Sequence, residues 1–244
     1  MLDAFKHWFS RRAGLPGERA LADWAHALGH HFKRSRDADG FIVEAHDGSW
    51  RLEWGPSQRR YIQGQELRLR APLTGGAGLQ MLLLTRGLLD LLEKQVFEQY
   101  TQELQTRIDL ATPDEMRWLV LHPKLPAAEL HALRGHYGGV GQPLEALASW
   151  VSGPLGTALA EWAARSSSSG PLLFIVQRER LTLRTALPRP DTQPIAELLR
   201  LFEVARREAQ RVAAQWHVPG MEDPAASLWP HSADGPDTPV GPVR

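Results

Sequence analysis

Two histidines and an aspartate near the start of the chain have a spacing that could bind a metal ion. His26 and His30 are four residues apart, and Asp23 lies three residues before His26. On a helix these positions fall on one face, where they could supply three metal ligands. That face is the polar side of an amphipathic segment and offers no fourth ligand. We therefore expect a surface cluster and predict no metal and no other cofactor.

Arginines on two strand-like segments, and on the loop between them, form a second candidate site. Arg51 precedes the loop, Arg59 and Arg60 lie in it, and Arg68 and Arg70 follow it. Because alternate residues of a strand point to the same side, the strand arginines should share the solvated face of a sheet. Guanidinium groups bind carboxylates and phosphates with paired hydrogen bonds, so this face could bind an acidic partner or a phosphate.

The alternative for the same arginines is internal pairing. Glu44, Glu53 and Glu66 occupy neighbouring strand positions. Opposite charges across adjacent strands each contribute only a few tenths of a kcal/mol to about 1 kcal/mol. Such a ladder would need no partner.

A catalytic site is harder to find. The chain contains no cysteine, which excludes thiol catalysis and Cys-ligated metals. It also has no GxSxG, HExxH, Walker A or kinase signature. The glycine-rich residues 138–141 precede Pro143 and a helix, but they lack the Lys-Ser/Thr of a phosphate-binding loop, so we expect a plain loop.

Aromatic residues near both ends indicate a contact surface. Phe5, Trp8 and Phe9 lie on a short amphipathic segment, and Trp229 lies in a Pro-rich tail. Each could bind a protein partner or pack on its own chain. Residues 2–12 could instead lie on an anionic membrane surface, although so short a stretch gives weak affinity by itself.

The composition limits the class of partner. Of the 28 basic residues 24 are Arg, and 28 acidic residues cancel their charge. Abundant Arg, Ala, Gly and Pro with no Asn is typical of a GC-rich bacterial genome. The balanced charge argues against nucleic-acid binding. No apolar run approaches the length of a transmembrane helix and no signal peptide is visible, so we expect a cytoplasmic protein.

Hydrophobic periodicity predicts the elements that must position these residues. A helix is expected at 18–33, a hairpin at 41–54 around Asp47-Gly48, further strands at 66–70 and 79–84, and a long helix at 86–110. Thr112, Pro113 and Glu115 resemble a capping box that begins a short helix. Short helices at 126–135, 143–152 and 154–165, strands at 172–176 and 180–184, and a helix at 193–216 complete the pattern.

We therefore predict an α+β fold with an antiparallel sheet flanked by long helices. Residues 1–13 form an amphipathic segment, 14–110 and 111–216 form two halves, and 217–244 form a Pro/Gly-rich tail. Because residues 65–73 and 178–187 are similar, the halves could be related by a pseudo-twofold axis. The leading functional hypothesis is a non-enzymatic binding or adaptor module. The alternatives are a hydrolase or transferase whose Asp, Glu, His and Arg site lies in a cleft between the halves, and a peripheral membrane protein.

Overall fold

A computed structural model describes residues 17–35, 40–102, 113–165 and 170–216. Within these ranges eight strands form one antiparallel sheet in the order β1-β2-β3-β4-β8-β7-β5-β6, with helices on both sides. This confirms the α+β class expected from the sequence. In chain order the elements are α1 (Glu18–Ala27), β1 (His31–Arg34), β2 (Phe41–Glu44), β3 (Arg51–Pro56), β4 (Gln65–Pro72), β5 (Gln80–Thr85), α2 (Arg86–Gln102), α3 (Asp114–Leu121), a 3-10 turn (His131–Leu133), β6 (Tyr137–Gln142), α4 (Leu144–Val151), α5 (Pro154–Arg165), β7 (Leu172–Gln177), β8 (Arg180–Ala186) and α6 (Thr192–Gln215).

The predicted hairpin is present as β2 and β3. Glu44 lies opposite Arg51, and Gly48 in the turn has a φ of 69°, a left-handed conformation that glycine adopts without a steric cost. Leu52 and Trp54 face the core while Arg51 and Glu53 face the other side. Alternation in the sequence therefore correctly assigns both faces of this hairpin.

The first helix is shorter than predicted. It ends at Ala27 instead of continuing to residue 33, and His31–Arg34 is the edge strand β1. Gly29 has a φ of 75°, and the amides of Gly29 and His30 bond back to the carbonyls of His26 and Ala25 at 2.9 Å and 2.8 Å. This glycine terminates the helix in a left-handed turn, and the apolar stripe beyond it belongs to a strand.

The glycine-rich segment predicted as a flexible loop is the edge strand β6. A Cβ on Gly138 would lie 2.4 Å from Leu89 Cδ2, and one on Gly139 would lie 2.8 Å from the carbonyl oxygen of Leu82. The glycines therefore allow close packing against β5 and helix α2, and they are not a phosphate cradle. Residues 126–135 were also misassigned as a helix, since only the 3-10 turn from His131 to Leu133 forms there.

The remaining described strands and helices follow the prediction closely, although residues 103–110 of the predicted long helix lie outside the described residues. The two similar halves are not confirmed. Strand β5 lies between β7 and β6, so a strand of the first half is surrounded by strands of the second. The two similar segments are β4 and β8, which are hydrogen-bonded neighbours in the middle of the sheet. Their likeness reflects a shared environment of one apolar and one charged face.

The two faces of the sheet are covered differently. Helices α1, α4, α5 and α6 pack on one face and enclose the main core, which includes Leu69, Phe174 and Leu183. On the other face α2 and α3 cover the end formed by β5, β6 and β7, over Leu82 and Ile175. The rest of that second face, on β1–β4 and β8, carries charged side chains.

In the part of the chain that is described, no helix is both long and apolar enough to cross a membrane.

Candidate functional site

The candidate site is the charged part of the second sheet face, here called the charged face. Pairing in register places alternate residues of five adjacent strands on it. These residues are Lys33, Glu44, Arg51, Glu53, Glu66, Arg68, Arg70, Arg180 and Arg184. Six are cations and three are carboxylates, so the face carries an excess of positive charge.

At its outer end, toward β1, the charged face is an internally paired ladder. Glu44 accepts hydrogen bonds from Lys33 Nζ at 2.7 Å and from Arg51 Nη1 at 2.8 Å. Arg51 Nε donates to Glu53 Oε1 at 2.7 Å. The hydrogen bond from Lys33 is the largest of the effects that hold the pKa of Glu44 below its usual value. Here the pairing alternative predicted from the sequence is correct.

At the inner end, toward β8, the pairing is incomplete. The side chain of Arg68 is only 9% exposed, and its Nε lies 3.2 Å from Glu53 Oε2. Its Nη1 lies 3.9 Å from Glu66 Oε2. Both carboxylates attract the guanidinium, but the first is not aligned for a hydrogen bond and the second is too far away, so both buried donors lack a hydrogen-bond partner. A buried unpaired donor normally costs about 1–3 kcal/mol.

The neighbours of Arg68 are also incompletely paired. Arg184 lies opposite Arg68 on β8, donates to Glu66 Oε1 at 2.6 Å and keeps a buried Nε without a partner. Arg70 Nη1 approaches Glu53 Oε2 only to 3.8 Å. Burial lowers the pKa of Arg70, and of the nearby charges Glu53 raises it while Arg184, Arg68 and Arg180 lower it. Guanidinium groups therefore crowd one another at this end of the face.

Glu66 anchors the inner end to the adjacent loop. Its side chain is completely buried. Besides Arg184, it accepts hydrogen bonds from the backbone amide of Gln58 at 2.9 Å and from Ser57 Oγ at 3.3 Å. This carboxylate therefore positions both an arginine of the face and the loop beside it.

The same loop is fastened at its other end by a buried cluster on α3. Tyr61 Oη donates a short hydrogen bond to Glu115, and Arg59 Nε donates to the same carboxylate oxygen at 2.5 Å. Burial, followed by the charge of Glu115, raises the pKa of Tyr61. Burial alone would lower the pKa of Arg59, but the Glu115 carboxylate outweighs it and raises that pKa.

Glu115 therefore has a different role from the one predicted. Pro113 is the N-cap of α3, and no side chain caps this helix end. The Glu115 side chain, only 1% exposed, is directed to Arg59 and Tyr61 instead of back to the helix terminus. A carboxylate gains more from a partly buried guanidinium than from a single backbone amide, which explains why the Glu115 side chain is directed to Arg59. Thr112, its other member, lies outside the described residues.

The predicted site residues have different outcomes. Arg51, Arg68 and Arg70 share one face as expected. Arg59 is turned away to Glu115, and Arg60 is exposed on the loop. The terminal residues Phe5, Trp8, Phe9 and Trp229 lie outside the described residues.

Sequence reasoning missed Arg180 and Arg184. The alternation in residues 180–184 identifies a strand with a polar face, but it gives no information about the neighbouring strand. Only the pairing of β8 with β4 places these arginines beside Arg68 and Arg70.

The histidine cluster is not assembled as a metal site. His26 and Asp23 are exposed on α1. His30 follows the helix, and its ring makes an edge-to-face contact with Trp50, with 4.7 Å between the ring centroids. Within the described ranges no three His, Asp or Glu side chains are placed to hold a metal ion.

Comparisons with known proteins identify no family. No family model matches the chain, and no curated protein matches it. A crystal structure of the mycobacterial trehalose monomycolate transport factor A, TtfA, is similar over 82% of this chain and 97% of that one, with 11% identity and a TM-score of 0.46. At this level the similarity supports no statement about function.

Proposed function

We propose that this protein is a non-enzymatic binding or adaptor module whose charged face binds an anionic segment of a protein partner. The observation that carries the proposal is the state of Arg68, which is almost completely buried near Glu53 and Glu66 yet keeps two donors without a hydrogen-bond partner. Arg70, two residues further along β4, and Arg51, diagonal to Arg68 on β3, are more accessible. Arg180 is exposed beyond Arg70 on β8. An anionic ligand would supply the negative charge that is missing beside these arginines.

An internal ladder alone does not account for the inner end of the face. There Arg68, Arg70 and Arg184 share the carboxylates of Glu53 and Glu66, and Arg180 adds a further positive charge close enough to act on Arg70. Like charges on directly opposed strand positions destabilise a sheet. Since partly buried charges are costly unless they are paired, an arrangement with more cations than carboxylates is favoured where a ligand completes it.

A nucleic acid or an anionic membrane fits the face less well than a protein segment. Both present extended arrays of negative charge, which a continuous cationic surface binds best. Here Glu44, Glu53 and Glu66 lie between the cations and would repel such an array. A protein segment can place a few anionic groups beside the arginines and avoid the glutamates.

A catalytic role has less support. Glu53 and Glu66 are ion-paired with arginines, and Glu115 is closed off beneath Tyr61 and Arg59. A general acid or base needs to reach a substrate. The two parts of the sheet are also joined by a continuous β4–β8 ladder, and the described contacts give the hydrolase or transferase alternative no support at that junction.

Fluorescence anisotropy with a labelled oligoglutamate peptide tests the proposal. The full chain should bind the peptide, and added salt should weaken the complex because exposed charges are screened. Arg70→Glu together with Arg180→Glu should weaken binding by at least about tenfold. Arg165→Glu, a charge reversal on the exposed end of α5, is the matched control. Absence of binding, or an equal loss in the control, would contradict the proposal.

A further inference from the structure

The incompletely paired arginines at the inner end of the charged face indicate what kind of anion binds there. We infer that Arg68, Arg70, Arg180 and Arg184 form an oxyanion subsite for a phosphate monoester carried by the protein partner. This inference rests on the proposed function, because it identifies the chemistry of the segment that the charged face binds.

The strand register brings the four side chains together. Arg68 lies directly opposite Arg184, Arg70 opposite Thr182, and Pro72 opposite Arg180. Diagonal neighbours on adjacent antiparallel strands have Cβ atoms about 7–8 Å apart, which long side chains can span. Arg70 is diagonal to both Arg180 and Arg184. Their guanidinium groups can therefore converge above Thr182.

Burial divides the four arginines into two pairs. The side chains of Arg68 and Arg184 are 9% and 7% exposed. They therefore attract a ligand through their positive charge without being exposed to it. Arg70 is 33% exposed and Arg180 is an exposed residue, so these two can donate directly to a ligand. Paired donation from a planar guanidinium to two oxygens is the usual geometry of phosphate recognition by arginine.

The balance of charge matches a dianion. Three of the four guanidinium groups, those of Arg68, Arg70 and Arg184, share the carboxylates of Glu53 and Glu66. With Arg180 the four arginines exceed these two carboxylates by two positive charges. A phosphate monoester carries a charge of about −1.5 to −2 near neutral pH and offers three acceptor oxygens. An Asp or Glu side chain offers one charge and two oxygens, so a single carboxylate compensates the site only in part.

The electrostatics of Arg70 agree with this assignment. Burial, and the charges of Arg184, Arg68 and Arg180, lower the pKa of Arg70, while Glu53 opposes the shift. A dianion placed among these groups would reverse the repulsion, because an opposite charge within about 4–6 Å favours the charged form. Desolvation by the surrounding sheet strengthens such an interaction relative to one in bulk water.

Isothermal titration of the full chain with three peptides of one sequence tests the inference. The peptides carry phosphoserine, serine or glutamate at a single central position among acidic residues, and inorganic phosphate is titrated separately. We expect the phosphoserine peptide to bind at least about tenfold more tightly than the glutamate peptide. Arg70→Gln with Arg180→Gln should remove this preference, whereas Arg165→Gln should retain it.

The outcomes separate the inference from the proposed function. Equal affinity for the phosphoserine and glutamate peptides, with both weakened by the Arg70 and Arg180 substitutions, would overturn the phosphate subsite and leave the proposed function intact. Binding of none of the peptides would overturn both. Binding of inorganic phosphate without any preference for the phosphoserine peptide would also overturn the inference, because the phosphate would then not belong to a protein segment.

Discussion

Arg68 and Arg184 lie directly opposite each other on the antiparallel strands β4 and β8, on the same face of the sheet and both buried. Two like charges in this position destabilise a sheet unless a counter-charge lies between or beside them. Glu66, fully buried next to both, is that counter-charge within the protein. Glu53 also lies 3.2 Å from Arg68 Nε, but Glu66 is the carboxylate that pairs with both arginines, so the stability of the sheet centre depends strongly on it.

Replacement of this carboxylate should destabilise the fold strongly. Glu66→Gln leaves Arg184 without its ion pair and weakens the hydrogen bonds from Ser57 and Gln58. Removing one member of a buried ion pair typically costs about 3–5 kcal/mol, and urea unfolding would measure it. Glu44→Gln, at the exposed outer end, should cost less than about 1 kcal/mol. Equal losses in the two variants would contradict the distinction between the inner and outer ends.

The Tyr61–Glu115 hydrogen bond should contribute measurably to stability. Tyr61→Phe removes the hydroxyl that donates to the buried Glu115 carboxylate while it retains the ring, so we expect a loss of about 1.5–3 kcal/mol in the free energy of unfolding. Tyr137→Phe is the matched control, because Tyr137 is also a buried tyrosine but no carboxylate of the described residues acts on it. Burial alone raises the pKa of Tyr137, to about 12. A loss from Tyr61→Phe no larger than that from Tyr137→Phe would show that the hydrogen bond is not made in solution.

Close packing of β6 predicts a contrast between two glycine substitutions. In Gly139→Ala the new methyl group meets the carbonyl oxygen of Leu82 at 2.8 Å, whereas at Gly135 nothing lies within 4 Å. Gly139→Ala should therefore lower the melting temperature and cost about 1–3 kcal/mol. Gly135→Ala should be close to neutral. Comparable melting temperatures for the two variants would mean that residues 137–142 are not packed as a strand.

These examples show where the sequence is informative. Leu52, Trp54 and Arg51 reveal a two-faced strand because alternation is a local property. Gly139 and its neighbours indicate a loop by composition, and only the packing of Leu82 and Leu89 against them explains their presence in a strand. A local sequence pattern predicts a strand well when its two faces differ in polarity. It predicts a strand poorly when close packing requires glycine, as in β6.

The candidate site divides in the same way. Arg51, Arg68 and Arg70 can be placed on one face from β3 and β4 alone. Arg180 and Arg184 join them only through the β4–β8 pairing, which connects segments more than a hundred residues apart along the chain. Long-range strand pairing is not encoded in any local period, so the incomplete hydrogen bonding of Arg68 cannot be predicted from the sequence.

Acid should destabilise the fold partly through His30. Burial lowers the pKa of His30 from 6.5, with Asp47 and Glu203 opposing the shift. The folded state therefore favours the neutral ring. This contribution is fully present above pH 6.5, the unfolded-state value, and is lost as the pH falls toward the folded-state pKa.

Urea unfolding as a function of pH would measure this effect. His30→Gln should reduce the fall in unfolding free energy between about pH 7.5 and pH 5. His122 has a pKa lowered in the same direction by burial, so part of the fall should remain in the single variant and diminish further with His122→Gln. A pH dependence that is unchanged in the double variant would show that these rings do not titrate differently on folding.

The charged face can be tested most directly by NMR of the arginine side chains. In a titration of the full chain with the phosphoserine peptide, the Nε–Hε signals of Arg68, Arg70, Arg180 and Arg184 should shift together and saturate at one affinity. The signal of Arg165, on the exposed end of α5, should not move. Shifts confined to arginines away from the charged face, or no shift at saturating peptide, would contradict the account.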